Sequence, residues 1–179
     1  IKGAAPLAQS KQHDAERLDG ESAEDYDKRT WREKCNADTD GNVYVPAMAF
    51  KQALDAAAKK SGEQVPGKGK STFTKFFRGD VICDANVPLG VGVDDVESVT
   101  INANSDGVRG SGKRVKRTFP VIQEWKAKVD FTILDDTVTE NVFERMLAMA
   151  GMSIGIGRYR PENGGLNGRF RPTKFEWHS

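Results

Sequence analysis

Cysteine and histidine are nearly absent, with two of each among 179 residues. Cys35 and Cys83 form no CxxC pair, and His13 and His178 stand near opposite ends without a second ligand at metal spacing. The compact cysteine–histidine zinc motifs are therefore excluded, and reduced, buried thiols of a cytosolic protein are expected. No stretch approaches the roughly 18–20 apolar residues that cross a bilayer. No secretory leader is recognisable either. The expectation is one soluble, cytoplasmic domain over residues 1–179, with no membrane partner and no cofactor.

Net charge is also small, at +1, but the total hides a strong segregation. From Asp14 to Asp40 ten acids face five bases, and this stretch defines an acidic arm or insertion over residues 8–40. From Lys51 to Arg78 the balance reverses, with only Asp55 and Glu63 against seven bases. Gly107 to Lys128 holds seven bases and one acid, Glu124, and Gly157 to Lys174 holds five bases against Glu162. Local potential, rather than net charge, is what a polyanion meets. The arm reads as mobile, ending in a helix capped by Ser22, with complementary charge for the basic surface of a neighbouring copy.

Periodicity places a first strand in Ile1–Leu7 and a brief one at Asn42–Val45. The clearest helix runs from Pro46 to Lys60, with proline in its first turn, Phe50, Leu54, Ala57 and Ala58 on one face, and a stop near Gly62. A strand is expected from Val81, and others at Val96–Ala103 and Lys113–Val121. Trp125–Leu134 alternates apolar with charged residues, as a half-buried antiparallel strand does. Thr139–Ala150 reads as a second helix, and Arg169–Trp177 as a last strand. Two helices on one face of an antiparallel sheet predict an α+β fold of ferredoxin-like or RRM-like architecture with long basic loops.

Three basic turns stand out. Val65–Thr72 imitates a phosphate loop, yet Gly69 follows Lys68 where the motif needs a hydroxyl, and the segment follows a helix where a strand belongs. Nucleotide hydrolysis is excluded. A flexible loop with free backbone N–H groups remains, carrying Lys68 and Lys70, with Lys75 just beyond. Gly107–Arg117 is the second turn, with Arg109, Lys113 and Arg114 placed to meet phosphates. Gly155–Phe170 is the third: Arg158, Arg160 and Arg169 can fork onto phosphates, and Tyr159 can stack on a base. Phe73 is a second stacking candidate.

The order Gly155-Ile156-Gly157-Arg158, a short spacer, then Gly165 and Gly168 before the last strand resembles the C-terminal glycine-rich loop of the RAMP superfamily. Members of that superfamily are RRM-like proteins that hold guide RNA in CRISPR complexes. The whole chain also resembles an uncharacterised bacteriophage family, through Lys2-Gly3, Pro6-Leu7, Arg29–Glu33, Pro66–Thr72, Gly112–Val115, Arg158–Gly165 and Gly168–Phe170. The first likeness implies RNA binding, but no RNA cleavage, because neither histidine sits in a matching motif.

Asp94-Asp95 and Asp135-Asp136 pair carboxylates at strand ends, where aspartate caps turns, so no catalytic residue and no metal ligand is assigned. The sequence thus predicts a non-enzymatic, sequence-tolerant binder of single-stranded DNA or RNA. Its expected setting is phage DNA replication or recombination in the host cytoplasm, as a homo-oligomer or filament along the strand. A small-nucleotide sponge that counters host defence, a nuclease, a RAMP-like RNA-binding protein and a virion component remain as alternatives.

Overall fold

The computed structural model describes residues 1–104, 112 and 114–178. Pro6 breaks the first apolar segment, which gives two short strands, β1 (Lys2–Gly3) and β2 (Leu7–Ala8), in place of one. Helix α1 (Ala23–Thr30) begins at Ser22, whose Oγ accepts from Asp25 N at 3.1 Å and donates to Asp25 Oδ2 at 2.6 Å. This local cap matches the sequence expectation. A 3₁₀ turn, Trp31–Lys34, follows, and then β3 (Asn42–Val45). Helix α2 (Ala47–Ser61) is rich in alanine and ends at Gly62, whose φ of 61° is the left-handed conformation that closes helices.

Helix α3 (Thr74–Asp80), for which the sequence offered no expectation, leads directly into the strand expected from Val81. Then come β4 (Val81–Cys83), β5 (Val87–Gly92), β6 (Glu97–Asn104), β7 (Arg114–Ile122) and β8 (Phe131–Ile133). Helix α4 (Glu140–Met149) runs into a wider turn at Ala150–Ile154, and β9 (Phe170–Arg171) is the last strand.

The class is α+β, as expected, but the strands are shared among four antiparallel sheets: β1–β9, β2–β7–β6, β3–β5 and β4–β8. The single ferredoxin-like sheet foreseen from the sequence is not formed by these pairings. One reason lies in Trp125–Leu134. Its burial alternates as foreseen, yet only Phe131–Ile133 joins a ladder, while Lys126 makes an isolated bridge to Lys2. The last strand is likewise reduced to two residues, and Pro172 follows it.

Phe50, Ala53, Leu54, Ala57 and Ala58 of α2 are buried in the core, where Phe77 of α3 stacks on Phe143 of α4 with centroids 6.2 Å apart. Among the described residues no helix is long and apolar enough to cross a membrane. Cys35 and Cys83 are free and buried, and burial pushes each thiol up to about 11. A disulfide-based thiol reagent at pH 7.5 should therefore label the native protein slowly and the urea-unfolded protein at once. Prompt native labelling of both would contradict the packing.

Candidate nucleic-acid interface

The sheet β2–β7–β6 is the platform of the site. Strand β7 is central, paired with β2 at Leu7↔Ile122 and with β6 from Glu97↔Val121 to Asn104↔Arg114. The glycine-rich segment is docked onto the same platform. Arg158 N donates to Ala8 O at 2.8 Å, and Gly168 N donates to Pro6 O at 2.8 Å. Between the platform and this segment runs a groove of about 990 Å³.

Lys11, Arg114, Arg158 and Arg160 line the groove, and Glu162 is the one acid among the described residues that line it. Arg160 is answered by Glu162, at 2.9 Å from Nε and 2.8 Å from Nη2. Arg114, Arg158 and Lys11 have no carboxylate within ion-pair distance among the described residues. The Arg158 guanidinium lies 4.4 Å from the Phe119 ring centroid and 5.1 Å from that of Tyr159, with its Nη1 3.4 Å from Ser10 Oγ. A guanidinium on an aromatic face keeps edge donors for a phosphate. Amides are present as well: Asn36, Gln52 and Asn102 belong to the same lining.

Tyr159 is half-buried in the groove wall, edge-on to Phe119 at 5.6 Å. Among the described residues it is the one non-glycine with a positive φ, at 58°, and its buried hydroxyl has no hydrogen-bond partner among them. A side chain held in the left-handed region costs about 1–3 kcal/mol and needs surrounding structure to hold it.

The glycines of this segment serve the chain itself. A Cβ on Gly165 would lie 1.8 Å from Tyr159 O, one on Gly168 would lie 1.8 Å from Ile156 O, and one on Gly157 would lie 2.4 Å from Ala8 O. The close approaches at these glycines are therefore made by backbone to backbone. Arg169 acts similarly: its Nε and Nη1 donate to the carbonyls of Met152 and Leu166 at 3.2 and 3.0 Å, so it staples the segment and stands outside the groove lining.

The first basic loop lies elsewhere. Lys68, Lys70 and Lys75 are absent from the groove lining. Lys68 Nζ donates to Thr137 Oγ1 at 2.9 Å, and Lys68 and Lys75 both sit over the Phe76 ring, at 4.9 and 4.7 Å. Lys70 is exposed. Part of the loop's backbone is used internally: Lys68 N donates to Val65 O and Ser71 N to Lys68 O. Phe73, a stacking candidate from the sequence, is 2% exposed and belongs to the core. Arg109 and Lys113 lie outside the described residues. Among the described residues, the groove thus takes Arg114 from the second turn and Arg158, Tyr159 and Arg160 from the third. Lys11, which sequence reasoning missed, joins them because β2 delivers the next residues to the same platform.

The acidic arm is folded against its own chain. Asp27, 2% exposed, binds Lys34 Nζ at 2.8 Å and accepts from Thr118 N at 3.1 Å. Arg117 Nε lies 2.8 Å from Asp27 Oδ2, a charge contact whose N–H points off the line to the oxygen. Glu24 reaches Lys28 and Lys116, and Glu21 binds Arg29, which holds the Glu21 carboxyl down at about 2. These acids are therefore engaged within the chain, which leaves the mobile, neighbour-docking arm without them.

The two aspartate pairs sit in turns. Asp94 and Asp95 belong to a 3₁₀ turn, and Asp135 Oδ1 accepts from Thr137 N at 2.7 Å; the Thr137 hydroxyl, and after it this backbone bond, lower the Asp135 pKa. Among the described residues no group of three or more histidine, cysteine, aspartate or glutamate side chains could hold a metal. No known protein-family model matches this chain, and no curated protein does.

Proposed function

We propose that the chain binds single-stranded nucleic acid without strong sequence preference, along the groove between β7 and the glycine-rich segment. The observation that carries this reading is the charge of the groove wall: Lys11, Arg114 and Arg158 face it without a carboxylate partner among the described residues, and only Glu162 opposes them. Phosphates would follow these cations, and the amides would meet base or sugar edges. The resemblances to RAMP and bacteriophage proteins favour the same class and suggest a phage replication or recombination accessory acting in the host cytoplasm. The reading needs no ferredoxin-like sheet and no catalysis.

Its test is fluorescence anisotropy with labelled single-stranded DNA, single-stranded RNA and duplex across a salt series. Three or four phosphate contacts predict a log–log salt slope of about −2 to −3 for single strands. A flat salt response contradicts the proposal.

A second reading is favoured by the groove's size. About 990 Å³ falls near the upper end of the roughly 300–1,000 Å³ typical of small-molecule sites. Tight binding of a cyclic dinucleotide, with no binding of an oligonucleotide, would replace the polymer by a small nucleotide in the same groove.

A further inference from the structure

The two edges of the β2–β7–β6 sheet are finished very differently. Pairing geometry is set by Pro120, which has no N–H and stands opposite Ser98. Pro120 O accepts from Gln9 N, so this residue turns its carbonyl away from β6. Thr118, two residues back and opposite Thr100, turns the same way: its N–H meets Asp27 and its carbonyl meets Lys34 Nζ at 2.8 Å. In an antiparallel ladder hydrogen-bonded and non-hydrogen-bonded pairs alternate. Ser98–Pro120 and Thr100–Thr118 are therefore non-hydrogen-bonded pairs. Ser98, Thr100 and Asn102 must then point their N–H and C=O groups outward from β6.

That outward row has no backbone partner among the described residues, and all three residues are exposed. The β7 side is plugged by the arm and β2, whereas no strand among the described residues pairs with the β6 side. Strand β6 spans eight residues, Glu97–Asn104, without proline, glycine, lysine or arginine. Edge strands of monomers normally carry such residues to prevent edge pairing.

We infer that β6 is a homodimerisation edge, at which a second copy adds its own β6 antiparallel about a two-fold axis through Thr100. The strand is self-complementary in that register. Thr100 faces its equivalent, Ser98 faces Asn102 of the second copy, and each outward N–H finds a carbonyl. Val99, an exposed apolar residue, then meets Ile101 across the interface, the kind of β-branched pair that stabilises sheets. The lone charge of the strand, Glu97, is set against Ala103 rather than against a like charge. The dimer continues the sheet through both copies and places a groove at each end of the joined strands, since Asn102 and Arg114 border the groove. This inference does not rest on the nucleic-acid reading.

Residues opposite each other in a hydrogen-bonded pair have Cα atoms about 5.5 Å apart, within disulfide reach. Thr100→Cys should therefore form an intermolecular disulfide under mild oxidation, without nucleic acid, while Ser98→Cys alone should not. The double variant Ser98→Cys/Asn102→Cys should cross-link again. Cys35 and Cys83 are buried and do not compete. Sedimentation of the unmodified chain should show twice the chain mass, and Thr100→Pro, which removes only an outward N–H from the backbone, should return it to the monomer. A monomer across a micromolar concentration series, or cross-linking by Ser98→Cys but not by Thr100→Cys, overturns the inference.

Discussion

Asp27→Ala should destabilise the fold by about 3–5 kcal/mol, the cost of breaking a buried ion pair by removing one partner. Asp27 answers three groups at once: the Lys34 ammonium, the Arg117 guanidinium and the Thr118 N–H. Arg117 is a third exposed and can turn to water, but Lys34 cannot, because its side chain is 5% exposed. Burial already lowers the Lys34 pKa, and Asp27 supplies the largest opposing pull. Without Asp27 that lowering deepens. Because the charged form is then disfavoured in the fold, the variant gains stability as pH rises from its folded Lys34 pKa toward 10.5, where the unfolded chain still binds the proton. Urea titrations at several pH values would show both effects. Removing both ions in Asp27→Ala/Lys34→Met should recover much of the loss, and a single variant within about 1 kcal/mol of the native protein would refute the clamp.

Gly168→Ala should be at least as damaging, for a reason rooted in backbone geometry. Gly168 has a φ of 70°, and its added Cβ would meet Ile156 O at 1.8 Å. Neither atom belongs to a flexible side chain, so the glycine-rich segment must leave β2, and the bond from Gly168 N to Pro6 O goes with it. The loss should exceed the roughly 1–3 kcal/mol of left-handed strain alone, and the groove should lose its wall. Gly67→Ala is the matched control. Its φ is 74°, but nothing lies within 4 Å of the new Cβ, so only about 1–2 kcal/mol of conformational cost applies. Thermal melts that rank the two variants equally would show that the segment is not packed as described.

Features fixed by neighbouring residues were legible in the sequence. The Ser22 cap and helix α2 with its Gly62 stop depend on contacts within a few residues, and their residue types announce them. Helix α3 was missed because its phenylalanines suit a strand equally well, and burial of Phe73, Phe76 and Phe77 against α2 decides the matter. The division into four sheets was not legible, since pairs such as Lys2↔Arg171 and Leu7↔Ile122 join distant parts of the chain. The candidate site was half legible. Arginine and glycine marked the third turn, but which basic turns meet depends on β2, which brings Lys11 and the Arg158 segment to β7. Local charge alone gave equal weight to Lys68, Lys70 and Lys75, yet none of the three lines the groove, and Lys68 and Lys75 sit by the turn at Asp135–Thr137.

The measurement that tests the central claim most directly compares two paired variants by single-strand binding across a salt series. Arg114→Ala/Arg158→Ala removes two groove cations, and Lys68→Ala/Lys70→Ala removes two from the remote loop at the same change in net charge. The groove pair should weaken binding and flatten the salt slope by about 1.4, the value for two lost phosphate contacts, while the loop pair leaves the slope unchanged. Equal losses from both pairs, or a larger loss from the loop pair, would contradict the groove.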